Sequence, residues 1–209
     1  MNSKIKVFCQ SAIRIENDKV YYFDPFKLEN VVNDADYIFI THSHFDHYSK
    51  EDILKIKKDT TKIIVPKDLT EEVITYFKSD DIIEVEPNNE YMVDDITFNT
   101  VPAYNIHKSF HKQENNWVGY VINIKDRIYY IAGDTDNIGD IKHIRCDVAF
   151  VPIGGTYTMN EKEAVDLIRH IRPKVAIPIH YQTIVGSVED AYQFKDDLSG
   201  ITEVEILYE

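Results

Sequence analysis

Four short strand-like runs in this chain each end in a loop that carries histidine or aspartate. Tyr37–Ile40 runs into Thr41-His42-Ser43-His44-Phe45-Asp46-His47, and Ile128–Gly133 into Asp134. Val175–Ile179 runs into His180, and Ile96–Val101 into a polar loop holding His107 and His111. Runs this short, rich in β-branched and aromatic residues, suit strands, and the most apolar of them suit strands buried on both faces. A sheet fixes the loops at the carboxyl ends of its strands while leaving them accessible. The fold must therefore gather loops from both halves of the chain at one place.

The first of these loops is the densest. Residues 42–47 hold three of the eight histidines in a chain of 209, together with Asp46. Neutral imidazole nitrogen and carboxylate oxygen are the donors that zinc, manganese and iron take from proteins. A solvated, histidine-rich surface loop is the plain alternative. Three further loops of the same chemistry favour metal binding.

Composition narrows the class. With 44% hydrophobic and 28% charged residues the chain can bury one sizeable core, and residues 1–209 are expected to form one domain. Acidic residues outnumber basic ones by 36 to 23, for a net charge of -13. Such a field repels polyanions and argues against nucleic acid as a partner. Cys9 and Cys146 are too few and too far apart for a zinc-binding pair, and they read as buried, reduced thiols. The opening MNSKIKVFCQSAIRIEN lacks the apolar core and cleavage site of a signal peptide, and no run approaches the ~20 apolar residues of a membrane span. A cytoplasmic protein acting on a small-molecule substrate, with no membrane partner, is expected. Nothing in the residues fixes its oligomeric state.

The order of elements is strands first, then strand–helix alternation, twice over. Lys4–Cys9, Ala12–Glu16 and Val20–Phe23 read as strands, with a turn at Glu16-Asn17-Asp18. Ser49 opens a helix with Ile53, Leu54 and Ile56 on its inner side, and Lys62–Val65 is a strand. Leu69, Val73 and Phe77 recur at four-residue steps along a second helix, with Glu71 and Glu72 in its first turn. Asp81–Glu86 and Ile96–Val101 are strands. In the second half, Trp117–Ile124 and Arg127–Ile131 form an antiparallel pair about Lys125-Asp126, and Asp147–Ile153 is a strand. Asn160 and Glu163 cap a helix carrying Ala164, Leu167, Ile168 and Ile171. After Pro173, Lys174–Ile179 is a strand. Ser187 opens a last helix with Ala191, Phe194 and Leu198, and Glu203–Tyr208 is the final strand. The fold class is α/β: an αββα four-layer sandwich of two mixed β-sheets flanked by helices.

Taken together, THSHFDH, GDTD and PIHY, with PIGGTYTM before the last, resemble the metallo-β-lactamase superfamily. The likeness covers nearly the whole chain and is greatest to its small stand-alone hydrolases near the ascorbate-6-phosphate lactonase branch. The resemblance implies an αββα fold and a site for two divalent metal ions, zinc first, with manganese or iron as alternatives. It implies that His42 and His44 hold one ion, that Asp46, His47 and His180 hold the other, and that Asp134 bridges them. The third ligand of the first ion is where this chain departs. Many members have Pro-Gly-His-Thr where Pro102-Ala103-Tyr104-Asn105 stands here, so a downstream histidine must serve. The similar small hydrolases carry a Phe-His-x-Lys element, for which Phe110-His111-Lys112 stands here, and His111 is preferred to His107.

The function so implied is hydrolysis of a small ester, lactone or phosphoester by a hydroxide held on the metals. Asp46 would orient that oxygen and accept its proton. Glutamate replaces His44 in the oxygen-reducing members, so His44 argues for hydrolysis. A metal-binding sensor without turnover, and a small phosphodiesterase or nuclease, are the competing readings. Tyr181 could donate to a developing oxyanion or could be a packed aromatic. Asp24, in Phe23-Asp24-Pro25, could accept from a ligand imidazole or simply shape the turn. His143 and His170 read as surface histidines, Trp117 as core, and Gly154–Tyr157 as a wall of the substrate pocket.

Overall fold

The computed structural model of the chain describes residues 3–208, so Met1 and Asn2 of the opening segment lie outside the described residues. These residues form two compact units, one running to Glu86 and including Tyr208, the other Pro87–Leu207.

The first unit comprises β1 (Lys4–Val7), β2 (Ile13–Glu16), β3 (Val20–Phe23), β4 (Ala35–Phe39), α1 (Lys50–Ile56), β5 (Lys57–Pro66), α2 (Lys67–Val73) and β6 (Ile82–Val85). Its six strands lie in sequence order. β1, β2 and β3 pair antiparallel, and β3 through β6 pair parallel. Ser49 caps α1 by accepting from the Asp52 amide, a contact of the kind that contributes about 1 kcal/mol. Ile53 and Ile56 of α1 and Leu69 and Val73 of α2 are buried in one cluster with Ile38, Ile63 and Val65 of the sheet. Burying each such side chain stabilises by about 1.5–3 kcal/mol, so this face holds both helices to the strands.

Three details differ from expectation. Leu54 is exposed, because it sits one residue round the helix from the buried Ile53. α2 stops at Val73, and Asp68, not Glu71 or Glu72, is the acidic residue of its first turn. Phe77 is still buried, but from the turn beyond the helix. β5 starts at Lys57, five residues before the expected Lys62, and pairs with Ala35 across a register shift.

The second unit comprises β7 (Glu90–Val93), β8 (Ile96–Pro102), β9 (Val118–Ile124), β10 (Arg127–Ile131), β11 (Val148–Pro152), α3 (Glu161–Ile171), β12 (Val175–Ile179), α4 (Val188–Asp197) and β13 (Glu203–Val204). Its seven strands lie in the order β13-β12-β11-β10-β9-β8-β7. β7 through β10 pair antiparallel and β10 through β13 parallel. Parallel neighbours need a crossover, and α3 and α4 supply the two between β11, β12 and β13. Lys125 and Asp126 both have positive φ, 50° and 62°, in the turn that joins β9 to β10, a backbone hand that matches strand twist.

The box predicted from Asn160 and Glu163 is complete, and Ala164, Leu167, Ile168 and Ile171 are buried where α3 packs on β11 and α4. Leu167→Ala would cost about 2–5 kcal/mol there. The last strand is shorter than expected, with only Glu203 and Val204 paired to β12. Cys9 and Cys146 are not joined in a disulfide, as expected of reduced thiols, but they are half-buried rather than buried. No described helix is long and apolar enough to cross a membrane. Both sheets are mixed and flanked by helices, which is the composition of the αββα class.

Candidate metal centre

In the first unit the donors hang from the end of β4. The chain leaves Phe39, makes one more parallel hydrogen bond from the Ile40 amide to the Ile64 carbonyl, and then turns through residues 42–47. Asp24, at the end of β3, organises that turn. It is fully buried, with φ 45°. Its Oδ1 accepts from the Thr41 amide at 2.8 Å and its Oδ2 from the Thr41 hydroxyl at 2.7 Å. Oδ2 also stands 2.7 Å from His47 Nδ1. Burial pushes the Asp24 carboxyl up, against the opposing pull of His47 and the Thr41 donors. Both sequence readings of Asp24 therefore hold: it shapes the turn, and it accepts from an imidazole.

With Asp24 ionised, two tautomers follow from these contacts. An ionised Asp24 makes His47 Nδ1 the donor, which leaves the Nε2 lone pair for a metal. The Thr41 hydroxyl hydrogen is spent on Asp24, so Thr41 Oγ1 accepts from His42 Nδ1, 3.0 Å away. His42 Nε2 then carries a lone pair, and it lies 3.1 Å from His44 Nδ1. Two imidazole nitrogens on one zinc, each at about 2.0–2.1 Å, stand at roughly that separation. Asp46 is buried beside them, with Oδ2 3.7 Å from His47 Nε2 and accepting from Gln10 Nε2 at 3.3 Å. Gln10 has positive φ in the turn between β1 and β2, and its carbonyl accepts from the Tyr208 hydroxyl.

In the second unit three loops converge. Asp134 follows β10 and Gly133, and its Oδ2 stands 3.2 Å from His111 Nε2 and 3.1 Å from His180 Nε2. All three side chains are buried. His180 follows β12 with φ 55°. Gly154 allows this packing, since a Cβ there would lie 2.4 Å from the His180 carbonyl oxygen. Gly154 thus backs onto His180. His111 Nδ1 lies 3.1 Å from Asn105 Oδ1, and its ring meets Trp117 edge-on at 5.6 Å. Trp117 is buried, as expected of a core residue, whereas His107, His143 and His170 are exposed. Tyr181 is fully buried, and burial pushes its phenol up to about 12.

The donor sets suit a cation by their own chemistry. In each unit a nitrogen lone pair is aimed at a second potential donor about 3 Å away, a repulsive contact in a buried place unless a proton or a metal ion lies between. The sequence did not single out Thr41, Gln10, Asn105 or Asp136. Thr41 and Asp136 lie inside quoted motifs, and Asn105 inside the departing turn, which were the only signals available.

Comparison with known proteins places the family and the fold. The sequence model of the Beta-lactamase superfamily domain matches residues 14–181, across both units. The chain belongs to the metallo-β-lactamase superfamily. It is 30% identical to a UPF0173 metal-dependent hydrolase of Thermococcus kodakarensis over 98% of this chain and 96% of that one. A UPF0173 metal-dependent hydrolase of Staphylococcus aureus is likewise 30% identical over 98% and 96%. Among solved structures, a metallo hydrolase from the archaeon Ignicoccus hospitalis superposes with a TM-score of 0.82 over 99% of this chain and 95% of that one, at 23% identity. That last likeness establishes the fold only. Within the superfamily the chain sits among metal-dependent hydrolases, the enzyme class expected from its sequence.

Proposed function

We propose that this superfamily member is a dinuclear hydrolase of a small ester, lactone or phosphoester, in which the two units make one functional domain. His42 and His44 with His111 are assigned to one cation, and Asp46 and His47 with His180 to the other, with Asp134 shared. Zinc is the first choice by donor type, since imidazole and carboxylate both suit it, and manganese and iron are the alternatives. Two such ions supply Lewis acidity toward the substrate's carbonyl or phosphoryl oxygen and lower the pKa of a bound water to about 7.

The chain's own residues do the rest. Asp24 and Asn105 hold the His47 and His111 rings so that Nε2 of each faces the donors around it. Asp46 orients the attacking water and takes its proton at the carboxylate. Tyr181 keeps its proton at neutral pH, given a phenol pushed up to about 12, and is the proposed donor to the developing oxyanion. Two half-buried cysteines that are not joined to each other accord with a reducing compartment, and we place the protein in the cytoplasm.

One observation carries this reading: Asp134 Oδ2 receives two imidazole nitrogens at 3.1 and 3.2 Å inside a buried site. A carboxylate oxygen shared by two imidazoles that each have their other ring edge elsewhere is the placement a metal-bridging ligand would need. The test is turnover of a panel of phosphodiester, lactone and thioester substrates by protein stripped with chelator and reloaded with zinc, manganese or iron. Turnover that vanishes on stripping and returns on reloading is expected. Tight metal binding with no turnover of any class would leave the sensor reading instead.

A further inference from the structure

We propose that Lys108, Asp136 and Asn105 form a positioning network that fixes the tautomer and aim of His111. Its consequence for metal affinity rests on the assignment of His111 as a ligand; the tautomer does not.

Asn105 encloses His111 from three sides. Its Oδ1 accepts from the His111 amide at 3.0 Å and lies 3.1 Å from His111 Nδ1, while its own amide donates to the His111 carbonyl at 2.7 Å. At the other end, Asn105 Nδ2 donates to Asp136 Oδ1 at 3.1 Å and to the Tyr157 carbonyl at 2.9 Å. That second pair removes the ambiguity of an amide's orientation. Turned over, the amide would set its oxygen against a carboxylate and a carbonyl, and its NH2 against the His111 N–H. Oδ1 therefore faces His111 and Nδ1 must donate to it, which turns Nε2 toward Asp134, 3.2 Å away, where a metal ion or a proton must lie between the two.

Asp136 holds that amide in turn. Its Oδ2 accepts from the Ile106 amide at 2.9 Å, and its Oδ1 from Lys108 Nζ at 2.6 Å. Asp136 and Asn105 are 6% and 7% exposed, so the carboxylate needs a compensating charge. Lys108 supplies it, and its ammonium is braced by the Thr158 carbonyl at 2.8 Å. A charge pair that binds nothing itself thus sets the direction of a nitrogen two hydrogen bonds away. Asn105 ends the turn Pro102-Ala103-Tyr104-Asn105 in which the chain departs from many members of the superfamily, and Lys108 lies just beyond it.

Long-range 1H–15N NMR of the histidine rings in the metal-free full-length protein tests the first part, because a lysine that only stiffened a loop would leave the tautomer alone. His111 is expected to carry a proton on Nδ1 in wild type, whether or not Nε2 is also protonated against Asp134, with that Nδ1–H signature lost or mixed in Asn105→Ala and in Lys108→Met, and restored in Lys108→Arg. If Asn105→Ala does not fold, the two lysine variants carry the test. Zinc titration against a chromophoric chelator tests the second part: one of the dissociation constants is expected to rise about 10–100-fold in Asn105→Ala and Lys108→Met. A His111 with no proton on Nδ1 in wild type, or a wild-type Nδ1–H signature in both variants, would overturn the network. A tautomer that shifts while every zinc constant stays unchanged would uphold the network and overturn His111 as a ligand.

Discussion

A methyl group at Gly154 tests how closely His180 depends on its neighbour. A Cβ there would stand 2.4 Å from the His180 carbonyl oxygen and 2.7 Å from a Val185 methyl. A close carbon–oxygen contact is about 3.3 Å, so the oxygen must retreat by roughly 0.9 Å. That oxygen belongs to the main chain of a residue already at φ 55°, so its retreat turns the His180 backbone and carries the ring with it. Overpacking of this kind costs about 1–3 kcal/mol. At about 2–4 °C per kcal/mol for a chain of this size, Gly154→Ala should melt about 2–12 °C lower. His180 Nε2, now 3.1 Å from Asp134 Oδ2, would move as well, and the extra melting temperature conferred by zinc should shrink. Thermal melting with and without zinc is the assay. Gly139→Ala is the control, since nothing lies within 4 Å of a Cβ at that position. Gly154→Ala that melts with wild type and gains as much from zinc would refute the reasoning.

Three further predictions concern single side chains. Asp46→Asn should keep most of its metal and lose turnover by ~10²-fold or more, as expected when general-base help is withdrawn; unchanged kcat would remove Asp46 from the mechanism. His111→Ala should lose about one metal ion per chain by elemental analysis while His107→Ala keeps both, and the reverse result would transfer the ligand role to His107. Asp52 tests pH dependence. Burial pushes its carboxyl up, but the Lys55 ammonium, the Ser49 hydroxyl and the Leu28 and Lys27 amides together hold it below its ordinary value. A carboxyl lowered in the folded state contributes stability above its unfolded pKa of about 3.9, and that stability is lost as pH falls through the folded value. Asp52→Asn should therefore depress the melting temperature more at pH 7 than at pH 3, and an equal offset at both would contradict the assignment.

Local signals were the most legible part of the sequence. Ser49, Asn160 and Ser187 all cap the helices expected of them, and Lys125-Asp126 makes the expected turn, because each depends on residues within a few positions. Elements defined by partners were harder to see. Lys57–Thr61 is polar, and only Lys57 of it has a strand partner, Ala35, before the register shift. β7 lies at the edge of its sheet with Met92 exposed, so its pattern carries little burial signal. The same division runs through the site. Ligand-type residues stood out because each follows an apolar strand. The residues that aim them did not, since nothing in the order of the chain says that Asp136 meets Asn105 or that Thr41 relays His42 to Asp24.

The central claim is that both donor sets serve one pair of ions. A crystal of zinc-loaded protein, measured at energies on either side of the zinc absorption edge, tests it most directly. Two anomalous peaks about 3.5–4 Å apart are predicted, one beside His42, His44 and His111 and the other beside Asp46, His47 and His180, with Asp134 touching both. Fully loaded crystals whose zinc lies on other residues, or on only one of the two donor sets, would contradict it.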